Sequence, residues 1–300
     1  MGAVQRIPTP EELLRLSADE ADQVLDELER TVPVRPAVVD LPGPPIEEAV
    51  VFGDTHGDWR STVAVSRRFL SAVRTTVMVG LGDYVDRAPA DTGEGSVANA
   101  LFLLSLTAAY PDRVFLLQGN HETHRIIPVI PHDLPEEVDQ LWGPEAERYT
   151  RILGLLERGP LAAVTSSGVY LAHAGFPRVA SADNWKAAVD PRDQDTLLDI
   201  VWGDCEAARS HRGIAVRFDE RDLDRFFEST GLHVFVRGHD PDLSGRSIYH
   251  HHCLTLHTSR TYERFGGVLL AHVPIARPVR TTHDLQIEHL ETEGQTFPEP

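Results

Sequence analysis

Five short polar clusters in this chain carry residue types that hold metal ions and move protons. They are Gly53-Asp54-Thr55-His56-Gly57-Asp58, Gly82-Asp83-Tyr84-Val85-Asp86-Arg87, Gly119-Asn120-His121-Glu122, His173-Ala174-Gly175 and Arg237-Gly238-His239-Asp240. Aspartate and histidine supply oxygen and nitrogen ligands that suit Mn, Fe or Zn, and asparagine adds a neutral oxygen. A carboxylate such as Asp83 can bridge two ions. The adjacent glycines permit tight backbone turns where side chains crowd. Any one cluster alone reads as a turn, or as a histidine satisfied in the core. The five together read differently, because each occupies the same place relative to an apolar run.

Those runs are the elements that must position the chemistry. Residues 49–52, 77–79, 114–117, 169–171 and 234–236 each form a short strand-like stretch that stops at its cluster. Segments 60–73 and the very apolar 97–109 are suited to crossover helices, so the alternation predicts an α/β core with strands covered on both faces. In open α/β sheets, sites form outside the carboxyl ends of the strands; clusters far apart in sequence can therefore meet. Residues 9–31 predict helices. Thr9-Pro10-Glu11-Glu12 and Ser17-Ala18-Asp19-Glu20 are capping-box patterns, and Ala21, Val24, Leu25 and Leu28 share one face. Proline-rich residues 33–46 read as an extended connector, residues 135–158 as a helical insertion, and 254–258 with 267–273 as a further strand pair. The end from Glu291 is polar.

Three hundred residues with 41% hydrophobic content can bury a substantial core. A formal net charge of −18 argues against general binding to nucleic acid or anionic membrane, although a local basic pocket is compatible with it. Lys186 is the only lysine, so the positive charge is almost all arginine, which suits bidentate phosphate binding. Two cysteines, Cys205 and Cys253, make no disulfide framework, and a reducing, cytoplasmic setting is expected. The N-terminus lacks an apolar signal core, has Arg6 where a myristoylation signal has Ser or Thr, and no apolar run approaches the roughly 18 residues of a membrane span.

In this order, GDTHG, GDYVDR, GNHE, HAG and RGH resemble the signature set of the PPP family of metal-dependent phosphoprotein phosphatases, within the calcineurin-like metallophosphoesterase superfamily. The resemblance covers about residues 48–265. LERGPLAAVTSSGVYLAHAG resembles the segment leading to the family's histidine ligand, and DIVWGDCEAARSHRGIAVRF its Trp-Asp segment followed by a phosphate-binding arginine. Ala88 and Ala174 stand where the family has glycine. HTSRTYERFGG replaces the SAPNYC stretch of eukaryotic members, with Tyr262 as a candidate for the family's tyrosine, and the pattern is closer to the bacterial branch.

The resemblance implies a four-layer α/β/β/α sandwich with a dinuclear site at the carboxyl ends of the strands. It divides the chain into an N-terminal helical cap and connector (1–46), a catalytic domain (47–285) and a polar tail (286–300). Two divalent or transition metal ions (Mn2+, Fe or Zn2+) are implied: Asp54, His56 and Asp83 would hold one, and Asp83, Asn120, His173 and His239 the other. A hydroxide generated between them would attack phosphorus directly. His121 would act as general acid, oriented by Asp86, with Arg87, Arg212 and Asn120 on the phosphate oxygens. Glu122 and Asp58 would fix ligand and backbone geometry. Arg237 is either a further phosphate ligand or an internal ion-pair partner, and His124 and His132 could line the substrate pocket. The run Tyr249-His250-His251-His252-Cys253 reads as an ordinary loop or edge strand, since adjacent histidines of an extended chain point to opposite faces. The expected activity is hydrolysis of phosphoserine or phosphothreonine in proteins. The alternatives are the same chemistry on a small phosphorylated metabolite, a nucleotide or phosphotyrosine, or a catalytically silent binding module.

Overall fold

The computed structural model describes residues 6–144, 146–178, 184–209, 212–214 and 216–291. Two capped helices open the chain, α1 (Pro10–Leu13) and α2 (Ala18–Thr31), followed by strand β1 (Val38–Asp40). The next elements are β2 (Glu48–Phe52), α3 (Trp59–Ser71), β3 (Thr76–Gly80), α4 (Gly95–Ala109) and β4 (Val114–Leu116). Helices α5 (Leu134–Trp142) and α6 (Ala146–Leu156) lead to β5 (Ala162–Val164) and β6 (Val169–Ala172). Helix α7 (Gln194–Val201), a minor ribbon of β7 (Asp204–Cys205) and β8 (Arg217–Phe218), and α8 (Glu220–Thr230) precede β9 (Val234–Arg237). The last strands are β10 (Ser247–Ile248), β11 (Cys253–Thr255), β12 (Leu269–Pro274) and β13 (Gln286–His289).

Two sheets carry these strands, ordered β13-β12-β2-β3-β4 and β1-β5-β6-β9-β11-β10. Period-two alternation explains how they stack. Ala49, Val51, Val77 and Val79 of the first sheet meet Ala163, Leu171, Val234, Val236 and Leu254 of the second in a shared apolar layer. The alternate residues Val50, Phe52 and Met78 face helices α1 to α6, while Ala162, Tyr170, Ala172 and Phe235 face α7 and α8. The result is the expected α/β/β/α sandwich. Helix α4 is apolar on nearly every side because α1, α2, α3, α5 and α6 all contact it. The N-terminal helices pack on α4 and α6. Arg148 pairs bidentately with Asp22, Arg151 reaches Asp26 and Glu29, and the Trp142 indole donates to the Leu16 carbonyl.

Three readings of the sequence are corrected. The connector at 33–46 contains β1, an edge strand parallel to β5, and the polar tail from 286 begins with β13, antiparallel to β12. Both are short edge strands whose partners lie far away in sequence, so no local pattern announces them. The runs at 254–258 and 267–273 do not pair with each other, since β11 lies in one sheet and β12 in the other. Residues 292–300 lie outside the described residues.

Candidate active site

Strands β2, β3 and β4 run parallel, as do β6, β9 and β11, and the turns leaving their carboxyl ends interlock. The amides of Thr55 and His56 donate to the Asp83 carbonyl (3.1 and 2.9 Å), and Gly57 N–H donates to Tyr84 O (2.9 Å). Glu122 ties the second turn to the third, its carboxylate accepting from the backbone of Asp83, Tyr84 and Gly119 at 2.7–2.9 Å. Gly238 N–H donates to His173 O, joining β9 to β6. Such tight turns demand unusual backbone. His56, Asp83, Asp86, Arg87 and His239 all have positive φ, between 43° and 72°, a region that costs non-glycine residues free energy and that persists only where surroundings over-determine it. A Cβ at Gly238 would collide with Asp54, and one at Gly119 with Asp83, so glycine is required beside each of these carboxylates.

Around this frame the side chains converge on a cavity of about 270 Å³. His173 Nε2 lies 2.9 Å from Asn120 Oδ1, 2.9 Å from His239 Nδ1 and 3.4 Å from Asp83 Oδ1. With the His173 Nδ1 proton on Leu81 O, at most one of these contacts can be a hydrogen bond, and the remaining lone pairs face one another as a cation's ligands do. The second nitrogens set the tautomers: His173 Nδ1–H donates to Leu81 O (3.0 Å) and His56 Nδ1–H to Val85 O (2.9 Å), which leaves each Nε2 bare toward the cavity. Burial holds His239 well below the ordinary imidazole range and pushes His56 down to about 4, so both offer neutral lone pairs at pH 7. The donor set therefore fits divalent metal. Among the described residues, His56, Asp83 and His121 form one group of ligand atoms within 4.8 Å of one another, and Asp83, His173 and His239 another. Asp54 stands slightly apart. Its carboxylate accepts from the His239 backbone N–H (3.1 and 3.2 Å) and faces His257.

His121 is different. Its Nδ1 is bound to the Asp86 carboxylate, and its buried Nε2 has no hydrogen-bond partner among the described residues and lies 3.9 Å from Asp83 Oδ2. Burial lowers the affinity of this imidazole for protons, yet Asp83 and Asp86 outweigh it, and the group is raised above its usual value. Asp86 is wholly buried and gathers further donors: the backbone amides of Asp133 (2.7 Å) and Leu134 (2.9 Å), and His132 Nδ1 (2.9 Å). His132 in turn meets Tyr149 Oη (2.9 Å) and stacks on His124 at 3.8 Å. His124 and His132 thus sit behind Asp86 and do not line the cavity.

Arg87 and Arg212 both line the cavity. Arg87 reaches Tyr262 Oη (3.3 Å), placing that tyrosine at the site edge-on to His56. Arg212 is anchored by Asp204 (3.2 Å), Asp240 (2.9 Å) and the His239 carbonyl (2.6 Å). Arg237 is fully buried, paired with Asp240 (2.7 Å) and bonded to the Ala174 and Gly203 carbonyls; it is an internal strut. Tyr249, His250 and His251 form a left-handed turn between β10 and β11, away from the cavity. Two residues escaped the sequence reading. Arg260 clamps the buried Asp58 carboxylate and thereby fixes the loop bearing Tyr262. His257 enters the cavity from the end of β11, where the strand-end rule applied to LTLHT would have found it. A larger cavity of about 430 Å³ near Phe176 and Phe226 lies apart from these groups.

Comparisons with known proteins agree with the geometry. The chain is 29% identical over 230 residues to a probable serine/threonine-protein phosphatase of Encephalitozoon cuniculi, covering 73% of this chain and 48% of that one. It is 29% identical over 238 residues to a PP2A-like serine/threonine-protein phosphatase of Candida albicans, covering 76% and 54%. The chain thus spans about half the length of these two curated relatives. A protein serine/threonine phosphatase from Saccharomyces cerevisiae shares the fold, with TM-score 0.71, 20% identity and 89% of both chains covered. A cold-active protein-tyrosine phosphatase from a psychrophilic Shewanella does so with TM-score 0.55, 16% identity, and 81% and 78% covered. No helix among the described residues is long and apolar enough to cross a membrane. The family model "Calcineurin-like phosphoesterase" matches residues 49–243, which include every metal-ligand candidate and His121, and the chain belongs to that family.

Proposed function

We propose that this chain is a metal-dependent phosphomonoesterase that removes phosphate from phosphoserine and phosphothreonine in proteins. The observation that carries the reading is a carboxylate-backed imidazole, His121 on Asp86, set against an acceptor-rich metal pocket that two arginines line. Asp54, His56 and Asp83 would hold one ion, and Asp83, Asn120, His173 and His239 the other. When bound, the pair of ions supplies Lewis acidity to the phosphoryl group and lowers the pKa of nearby water. The remaining work belongs to side chains. Arg87 and Arg212 orient the phosphate oxygens, and the anchors on Arg212 hold its guanidinium ready for that geometry. Asn120 directs Oδ1 at His173, leaving its Nδ2 to donate to phosphate. His121 passes the Nε2 proton to the leaving oxygen, while Asp86 holds Nδ1 and stabilises the imidazolium.

The mouth of the cavity supports a protein substrate, since Ile130 there is 91% exposed and Val129 lies beside it. The altered loop at 257–267 favours a second reading, the same chemistry on phosphotyrosine or a small phosphorylated metabolite or nucleotide, and it supports a place in the bacterial branch of the family, while the free buried thiols of Cys205 and Cys253 fit a reducing cytoplasm. The test is a panel of phosphopeptides, nucleotides and sugar phosphates compared by kcat/KM with Mn2+, Fe2+ and Zn2+ in turn, alongside elemental analysis. Phosphoserine and phosphothreonine peptides are expected to lead, with close to two ions per chain. Absence of both metal and hydrolysis would leave only a binding module, and a lead for another class would move the substrate.

A further inference from the structure

The end of β11 repeats the arrangement found at the other site-forming strand ends. The backbone of His257 bridges to Asp54, the first residue beyond β2 and Gly53. Gly53 N–H donates to Thr258 Oγ1 (2.9 Å), Thr258 N–H to Asp54 O (3.1 Å), and Leu269 N–H to His257 O (2.9 Å). The approach is so close that a Cβ at Gly53 would collide with the Leu256 carbonyl. His257 is thus pinned between the two sheets, and its position relative to Asp54 is rigid.

Its side chain is fully buried and lines the same cavity as Asp54, His56 and Asp83. Nε2 lies 3.1 Å from Asp54 Oδ2 at poor hydrogen-bond geometry, and among the described residues Nδ1 has no hydrogen-bond partner. Among the described residues its ring neighbour is Tyr262, edge-on at 5.3 Å. A buried imidazole with one nitrogen unpartnered and the other only poorly aligned on a carboxylate is costly to keep. A lone pair next to a carboxylate oxygen of a metal-ligand candidate is where a coordinating nitrogen stands. His56, held rigidly by Val85 O, supplies the other imidazole on that side.

We propose that His257 is a fourth protein ligand for the ion held by Asp54, His56 and Asp83. That position then has two imidazoles and two carboxylates, a nitrogen-richer set that favours Fe2+ or Zn2+ over Mn2+. The inference rests on the metal-dependent reading above and adds a residue to it.

The experiment uses the full chain, stripped with a chelator and reloaded with Co2+. Stoichiometry, dissociation constants from competition with a chromophoric chelator, and the cobalt absorption spectrum are compared for wild type and His257→Phe. Wild type should take up two ions. The variant should keep one with unchanged affinity and bind the other about 100-fold more weakly, the upper end of what losing a ligand-supporting group costs, with an altered cobalt spectrum. His257→Gln, which preserves volume and polarity, should show the same selective loss; circular dichroism of the stripped proteins confirms that each variant is folded. Two ions bound with wild-type affinity and spectrum in both variants would overturn the assignment while leaving the metal-dependent reading intact. A wild type that takes up no cobalt would remove both.

Discussion

Replacing Asp86 by asparagine probes the acid half of the site and leaves the metal pocket alone. The carboxylate accepts four hydrogen bonds, from His121, His132 and the amides of Asp133 and Leu134. An amide oxygen can keep the two backbone donors on Oδ1. The new NH2 group cannot accept from His121 Nδ1, so the bond that stabilises the imidazolium is lost. A hydrogen bond to a charged group is worth about 1.5–3 kcal/mol, which at about 1.4 kcal/mol per decade predicts a fall in kcat of roughly 10- to 100-fold on a phosphoserine peptide. The general acid must be protonated, and Asp83 and Asp86 raise His121 against burial. Activity therefore falls on the alkaline side as His121 loses its proton, and removing Asp86 shifts that limb to lower pH. An aryl phosphate, whose phenolate leaves without a proton, should be nearly indifferent. The assay is kcat and kcat/KM against pH on both substrates, with metal content measured in parallel. Equal losses on the two substrates, with an unmoved alkaline limb and full metal content, would refute the role given to the His121–Asp86 pair.

Asp83→Asn should lower metal content from close to two ions per chain toward zero, because Asp83 faces both ligand groups; wild-type content by elemental analysis would deny it the bridging position. Removing metal with a chelator should lower the thermal midpoint. A bound ion at 100 times its Kd stabilises by about 2.7 kcal/mol, and a calorimetric scan unmoved by chelation would count against a resident metal. Arg260→Ala strips the partly exposed guanidinium from the buried Asp58 carboxylate and leaves it the Ser61 hydroxyl and the backbone amide of residue 260. The expected cost, discounted for the exposed side of the pair, is roughly 1–2 kcal/mol, read by urea denaturation, with a raised KM as the Tyr262 loop loosens. Tyr262→Phe removes the hydroxyl at 3.3 Å from Arg87 and should raise KM roughly 2- to 10-fold with kcat little changed; a kcat effect alone would place Tyr262 in the chemical step.

The architecture was legible because the chain punctuates itself. Each apolar run is short, each ends at glycine or histidine with ligand-capable neighbours, and strands in a doubly covered sheet read as continuous hydrophobic stretches. Capping boxes at Thr9 and Ser17 marked the first helices, and both form as read. The edge strands β1 and β13 were hidden, since their stability comes from partners found only after folding. The position of His124 and His132 was likewise left open by local sequence. Their distance from His121 along the chain is small, but the turn after Asn120 carries them behind Asp86.

The residue types at the strand ends, and hence the chemistry available to the site, were determined by the sequence alone, because local composition dictates where a strand must stop and what stands there. Which imidazoles face metal and which face a carboxylate was decided by tertiary structure. Left-handed backbone at His56, Asp83, Asp86 and His239 aims those side chains, and it is stable only when two sheets and their turns lock one another in place. His257 and Arg260 acquire their neighbours in the same way, through contacts about two hundred residues apart in the chain.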